Sequence, residues 1–359
     1  MTQRERQILN WILENPMISQ QELAEKAGIT RSSAAVHISN LMKKGYIRGK
    51  GYIVHTAPYV TVIGAVNMDI GGWPKEKLIA EDSNPGHVRM SLGGVGRNIA
   101  HNMSLLGMDV RLLTVLGDDL YAQRIAASCG ELGIDISHAV TIPGGHTSTY
   151  LFINNQQGDM ALAVSDMEIY RQLTPEILQA RQKMIAESQV VVVDTNIPQE
   201  SLEWIAANST APIFADPVST AKAIKLRPIL GKLHTLKPNR MEAELLSGIR
   251  ITDQQTLDRA ADALLATGLR RVFVSLGADG VYAVDHNQRL HLPIYPGKMM
   301  NTTGCGDAFM AAVVWAYLVG SDLASTAQAG LAASAISMES TETINSALCE
   351  KTLKNRMGI

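Results

Sequence analysis

Residues 59–69 read YVTVIGAVNMD. The first seven, YVTVIGA, carry no charge and are rich in β-branched side chains, the composition of a strand buried on both faces. Runs of the same texture recur as VRLLTVLG at 110–117, VVVVD at 190–194, PIFAD at 212–216, HTLK at 234–237 and RVFVSLG at 271–277. Helical stretches separate them, and strands alternating with helices imply a mostly parallel sheet with helices on both faces. The α/β domain expected from this pattern occupies residues 58–359. Ligands of open α/β sheets bind beyond the carboxyl ends of the strands. That places Asn67 and Asp69, in GAVNMD at 64–69, at a candidate binding edge. Asp69 could accept hydrogen bonds from two vicinal hydroxyls, although taken alone it reads equally as a turn residue.

The chain has 359 residues, 46% hydrophobic and 18% charged, which excludes extensive disorder. Its formal charge of −2 argues against a protein that coats nucleic acid or membrane along its whole length. The charge is unevenly placed. Residues 1–57 hold eight Lys and Arg against four Glu, a net +4, which leaves −6 for the remainder. Cys129, Cys305 and Cys349 are odd in number and widely spaced, so they suggest neither a disulfide framework nor a zinc cluster, and a reducing cytoplasm is expected. The start, MTQRERQILN, lacks the apolar core of a signal peptide, and no later run is long enough to cross a membrane.

The basic leader reads as a separate module, residues 1–57. Ile8, Leu9, Ile12 and Leu13 recur at helical spacing over residues 3–14, which Asn15 and Pro16 end. Ser19 and Glu22 form a capping-box pattern for a second helix that Gly28 stops. Thr30 caps a third, through Lys44, with Ala34, Ile38, Leu41 and Met42 inward and Arg31, Ser32, Ser33 and His37 outward. YIRGKGYIV at 46–54 then reads as a hairpin around Gly49-Lys50-Gly51. The plan resembles a winged helix-turn-helix over residues 3–55, which implies binding to duplex DNA. A dimerisation or capping module is the alternative, with His37 and His55 as ordinary surface residues.

Two stretches break the α/β alternation, residues 68–92 and 147–166, the latter containing STYLFI at 148–153. Both are polar and glycine-punctuated, and they are expected to form a small sheet that serves as a lid, as an edge for dimer contacts, or as both.

In NTTGCGDAFMAAVVWAYL, residues 301–318, Gly304, Cys305 and Gly306 precede an apolar helix, so their amides could converge on an anion where the helix dipole assists. Asp307 could there take a proton from a hydroxyl, or simply cap the helix. A second glycine-rich stretch, SLGGVGRNIAHNMSLLG at 91–107, also opens onto a helix; Gly93, Gly94 and Gly96 permit close approach, and Asn98 offers donor and acceptor to sugar hydroxyls. A dinucleotide fingerprint is rejected, because Ile99 stands where glycine is required and no clean strand is evident before it.

These stretches, in this order and joined by TLKPNRMEAE at 235–244 and SLGADG at 275–280, resemble the PfkB (ribokinase-like) family of carbohydrate and nucleoside kinases across residues 59–340. The resemblance implies ATP-dependent phosphoryl transfer, with Asp307 as general base and the amides of Gly304, Cys305 and Gly306 as the anion hole. It assigns Asn67, Asp69, Gly94 and Asn98 to the sugar and Ser275, Gly277 and Gly280 to the nucleotide. Asn239 and Glu242 match the NxxE element, which implies that they organise Mg²⁺ and phosphate through water. Asn301 stands where many members have Asp, which puts a monovalent-cation site in question, and Cys305 replaces a more usual Ala.

Within the family, the run 81–107, ADPVSTAK at 215–222 and HTLKPNRMEAELLSG at 234–248 are similar to pseudouridine kinases. That similarity implies phosphorylation of the 5′-hydroxyl of pseudouridine, with Asp82, Ser83 and Asn84 helping to read the base. Another ribonucleoside or a free sugar is the alternative substrate, and a sugar- or nucleoside-sensing transcription regulator is the alternative function. A homodimer is expected.

Overall fold

The computed structural model describes residues 1–47, 58–157 and 159–359. Its contacts divide the chain into Met1–Pro58 and Tyr59–Ile359.

In the first unit, three helices, Gln3–Glu14, Gln20–Ala27 and Arg31–Lys43, enclose a core that includes Ile8, Ile12, Leu23, Ile38 and Leu41. Ser19 and Glu22 satisfy each other's backbone as a capping box, and Thr2 and Glu5 do the same one helix earlier. Leu13 and Met42, expected inward, are 45% and 47% exposed. Each follows a core residue by one position, about 100° round the helix, which turns it off the face that the three helices share. Arg31, Ser32 and Ser33 are exposed, whereas His37 is half-buried. The turn Gly49-Lys50-Gly51 expected for the hairpin, and His55, lie outside the described residues.

The second unit is built on an eight-stranded sheet. Across it run Arg289–Leu292, Val281–Asp285, Arg271–Ser275, Thr235–Leu236, Ile213–Asp216, Val190–Asp194, Val60–Ile63 and Val110–Leu113. Neighbours from Arg271–Ser275 to Val110–Leu113 pair in parallel, and the two edge strands after Gly280 are antiparallel. Alternation explains why these strands read as unbroken apolar runs. Val191 and Val193 enter one core with Ile213, Ala215 and Val272, while Val190 and Val192 enter the opposite core with Phe214 and Phe273. Both faces are therefore dry. The helix Cys305–Leu318 is buried nearly all round and packs against Leu323–Met338, where Gly330 leaves room for the Phe309 ring.

A separate four-stranded sheet is ordered Gly86–Gly93, Asn67–Pro74, Thr149–Asn154, Met160–Asp166. Asn67–Pro74 follows the main-sheet strand Val60–Ile63 after three residues. Val88, Met90, Leu151, Met160, Leu162 and Val164 of this small sheet are exposed. Among the described residues, no helix is long and apolar enough to cross a membrane.

Candidate active site

Three neighbouring parallel strands each run buried until a charge closes them: Asp194, Asp216 and, one residue past the short strand Thr235–Leu236, Lys237. Asp194 accepts from the amides of Ala65 and Asn196, both at 2.8 Å, and Asp216 accepts from that of Val218 at 2.8 Å. The Lys237 ammonium lies 3.2 Å from Asp216, and both are about nine-tenths buried. Val218 has φ of 63°, a conformation costly for a β-branched residue, at the turn that aims Asp216.

Asp307 comes to this cluster from the first turn of the helix Cys305–Leu318. It does not cap that helix. Its Oδ2 accepts from the side-chain amide of Asn98 at 2.9 Å, on the helix Val95–Leu105. Burial, reinforced by the neighbouring Asp216 charge and opposed by Asn98 and Lys237, pushes the Asp307 carboxyl up to about 8. Burial works against the charge of Lys237, but Asp216 outweighs it and holds the ammonium above its ordinary range. Glu242 is also shifted upward, mainly by burial, with the Asn239 amide opposing.

Gly304 is the helix N-cap, with φ of 84°, and a side chain there would strike the Thr343 carbonyl. Cys305 and Gly306 already belong to the helix rather than preceding it. The Cys305 amide donates to the Thr302 carbonyl at 3.3 Å, so the convergence of all three amides expected from sequence is reduced. Those of Gly304 and Gly306 have no main-chain partner among the described residues. A β-carbon on Gly306 would lie 3.2 Å from the Lys237 ammonium, so the helix N-terminus and this cation face the same space.

Asn67 donates its side-chain amide to Asp69, and the Asp69 carboxylate lies over Gly93, where any side chain would collide with it. Burial pushes Asp69 up to about 6, against the opposing effects of Asn67 and Arg97. Gly94, with φ of 96°, packs on the backbone of Ala65 and Val66 and opens the helix that carries Asn98. A strand, Gly86–Gly93, does precede this glycine-rich turn. Sequence reading placed it only within the small sheet expected over 68–92 and saw no clean strand before the turn, because six of its eight residues are exposed.

Asn239 and Glu242 form a reciprocal capping box, at 2.8 and 2.9 Å, on the helix Arg240–Ser247. Asn239 also bridges to Ser275, whose amide donates to the Pro238 carbonyl at 2.9 Å. Gly277 and Gly280 shape the turn after Ser275, with Gly280 against the Leu292 carbonyl. Sequence reasoning thus missed Asp194, Asp216 and Lys237. For Asp194 and Asp216 the signal was available, since each is a charge placed at the end of a buried apolar run, whereas Lys237 follows only the short strand Thr235–Leu236.

Among the described residues, no group of three or more His, Cys, Asp or Glu is arranged to hold a metal directly. The donors do fit Mg²⁺ held through water: one Glu242 oxygen accepts from Asn239, leaving the other for a hydrated ion. A monovalent cation fits less well beside the anion loop. There the side-chain amide of Asn301 donates to the Thr341 carbonyl at 3.2 Å, and its oxygen accepts from Thr303 at 2.9 Å. A neutral donor occupies an oxygen that a cation would need.

Chemically, the arrangement offers a carboxylate of raised proton affinity beside a buried ammonium and a helix N-terminus, suited to deprotonating a hydroxyl next to a polyanion.

Residues 57–349 match the pfkB family carbohydrate kinase profile, and residues 1–48 match a winged helix-turn-helix DNA-binding profile. The sugar kinase YeiI of Escherichia coli, itself uncharacterized, is 39% identical over 95% of this chain and 94% of its own. Pseudouridine kinase of the same organism is 38% identical over 79% of this chain and 92% of its own. A solved carbohydrate kinase from Agrobacterium tumefaciens superposes with a TM-score of 0.74 at 28% identity, covering 84% of this chain and 97% of that one.

Proposed function

Because the chain belongs to the pfkB family of carbohydrate kinases, we propose that it transfers the γ-phosphoryl group of ATP to the 5′-hydroxyl of pseudouridine. The observation that carries the reaction type is the buried Asp307 carboxylate, held by Asn98 beside Lys237 at a helix N-terminus. The substrate rests on the similarity to pseudouridine kinase.

Asp307 takes the proton as the hydroxyl oxygen attacks the γ-phosphorus. The bond to the β-phosphate oxygen breaks, and ADP leaves with that electron pair. A base whose proton affinity is matched to working pH is effective in this role. The amides of Gly304 and Gly306, with Lys237, stabilise the charge that develops on the transferring group; Cys305 shapes the loop. Asn67, Asp69, Gly94 and Asn98 hold the ribose, and Asn239, Ser275, Gly277 and Gly280 hold the nucleotide. Mg²⁺, bound through water at Glu242, would neutralise phosphate charge. The small sheet acts as a lid that excludes water and so limits ATP hydrolysis. Its exposed apolar face pairs with a second copy of the chain, giving a homodimer in the cytoplasm.

The test is ADP release across pseudouridine, uridine, inosine, adenosine, ribose and fructose. Pseudouridine is expected to give the highest kcat/KM. Another substrate at the top would reassign specificity within the family. Failure on all six would favour a nucleoside-sensing regulator, for which the basic N-terminal unit and its profile match speak.

A further inference from the structure

A cavity of about 670 Å³ lies where the small sheet meets the carboxyl edge of the main one. Ser165 and Met167, at the end of the strand Met160–Asp166, form one wall. Asn196, just past the strand Val190–Asp194, and Lys222 form another.

Two chains of contacts lead toward Asn67 from this space. Tyr170, which lines it, donates its hydroxyl to the Val66 carbonyl at 2.7 Å and accepts from the Val66 amide at 2.5 Å, next to Asn67. On the other side, Asn196 donates its main-chain amide to Asp194, whose second oxygen accepts from Ala65.

The two lysines of the cavity are engaged differently. Lys225 donates to the carbonyls of Thr195 and Ile197, at 2.9 and 3.0 Å, and so pins the loop. Lys222 donates to Asn196 Oδ1 at 2.5 Å and approaches the Met167 sulfur at 3.4 Å, neither of them a carboxylate. Burial pushes the Lys222 ammonium down from its usual range, against the opposing charge of Asp194. A desolvated ammonium with a weak thioether as one partner gains from a strong neutral acceptor. Arg171 also lines the cavity and pairs with Glu168 at 3.0 Å, so with Lys222, Lys225 and Glu200 the lining carries three cations against two carboxylates, a near balance that suits a neutral polar group.

We infer that Lys222, oriented by Asn196, donates a hydrogen bond to a keto oxygen of the base of a nucleoside whose ribose lies at Asn67 and Asp69. The site then selects keto-bearing nucleosides such as pseudouridine over adenosine, which offers no keto oxygen, and over free sugars. Asn196 is a positioning residue. It joins the strand end at Asp194 to the Lys222 ammonium. This inference rests on the nucleoside-kinase reading above.

The experiment compares the full chain with Lys222→Met, which keeps the length of the side chain and removes its donors. Loss of a charge-assisted hydrogen bond should raise KM for pseudouridine roughly 10- to 100-fold. KM for ATP should stay unchanged, and the preference for pseudouridine over adenosine should collapse. If Lys222→Met does not fold, Asn196→Ala, which frees the ammonium from its orienting partner, carries the same expectation. A wild-type chain that prefers a free sugar refutes the nucleoside reading and this inference with it. A wild-type chain that prefers pseudouridine, with a variant equally selective, refutes the role of Lys222 alone. A variant whose KM values for ATP and pseudouridine rise together also refutes it, because Lys222 would then be supporting the fold.

Discussion

The side-chain amide of Asn98 donates a 2.9 Å hydrogen bond to the carboxylate of Asp307, joining two helix starts that lie 209 residues apart in the chain. Each glycine-rich stretch alone reads equally well as a loop before a helix. Their contact makes them one site, because a helix N-terminus, a carboxylate of raised proton affinity and an amide that holds it are then available to one ligand. The Asn98 side-chain oxygen is buried without a partner among the described residues, leaving an acceptor for a substrate hydroxyl.

Ionisation of Asp307 should be visible in the pH dependence of the reaction. Its carboxyl is pushed up to about 8 by burial and by Asp216, and a base works only when deprotonated. Thus kcat/KM should rise with pH toward about 8 and level off above it. Asn98 favours the ionised form, so Asn98→Ala should move the limb to higher pH; a limb that stays in place would put the titration on another group. Asp307→Asn should slow turnover about 10²- to 10⁴-fold while nucleoside and ATP still bind.

Gly93 faces the Asp69 carboxylate with no room for a methyl group. Gly93→Ala should therefore displace Asp69 and raise KM for the nucleoside about tenfold, the worth of one hydrogen bond to a charged group. KM for ATP should be unaffected. A rise in the ATP constant alone would remove Asp69 from the sugar site.

Lys237 and Asp216 are a buried pair at 3.2 Å. Removing one member leaves an uncompensated charge, and Lys237→Met should lower the stability of the second unit by about 3–5 kcal/mol in urea unfolding. Adding Asp216→Leu should recover part of the loss, since the stranded carboxylate disappears with it. A single variant as stable as the parent would mean that Asp216 takes up a proton at little cost.

The main sheet was legible because its strands are buried on both faces, so VVVVD at 190–194 marks a strand without any pairing information. Gly86–Gly93 was legible only as part of a small sheet expected over 68–92, and its bounds were not, because a solvent-facing strand such as GHVRMSLG carries no apolar run. The antiparallel pair Val281–Asp285 and Arg289–Leu292 likewise adds strands that the β/α alternation alone does not announce. Within the site, Asp307 and Asn98 stood out through neighbouring glycines. Asp194, Asp216 and Lys237 sit at the ends of strands far apart in sequence, and only their pairing side by side in the sheet makes them a cluster. The cavity at Lys222 was hidden for the same reason, being assembled from the small sheet and two separate loops.

Asn301 bears on cation dependence. Its amide already donates to the Thr341 carbonyl beside the anion loop. Replacing potassium by tetramethylammonium at constant ionic strength should leave turnover unchanged, and Asn301→Asp, which exchanges the donor for a negative charge, should introduce a potassium requirement. A parent enzyme that stops without potassium would show that the Asn301–Thr341 contact yields to the ion.

The N-terminal unit has its own hydrophobic core and its own electrostatic clasp, in which Glu5 accepts from the Thr2 amide and the Lys44 ammonium, each at 2.7 Å. Those contacts, the Lys44 bond foremost, hold the Glu5 carboxyl down at about 2. The stabilisation is present above the ordinary value of 4.5 and is lost as pH falls toward about 2. Removing residues 1–57 should leave kinase turnover nearly intact and abolish any retardation of duplex DNA. In the full chain, the exposed Arg31, Ser32 and Ser33 begin the third helix; if this helix docks on duplex DNA, Arg31→Ala should weaken that binding and flatten its decline with salt, as expected for the loss of one phosphate contact. Loss of kinase turnover on truncation would make the leader a structural part of the enzyme, and retention of DNA binding would move that activity to the kinase unit.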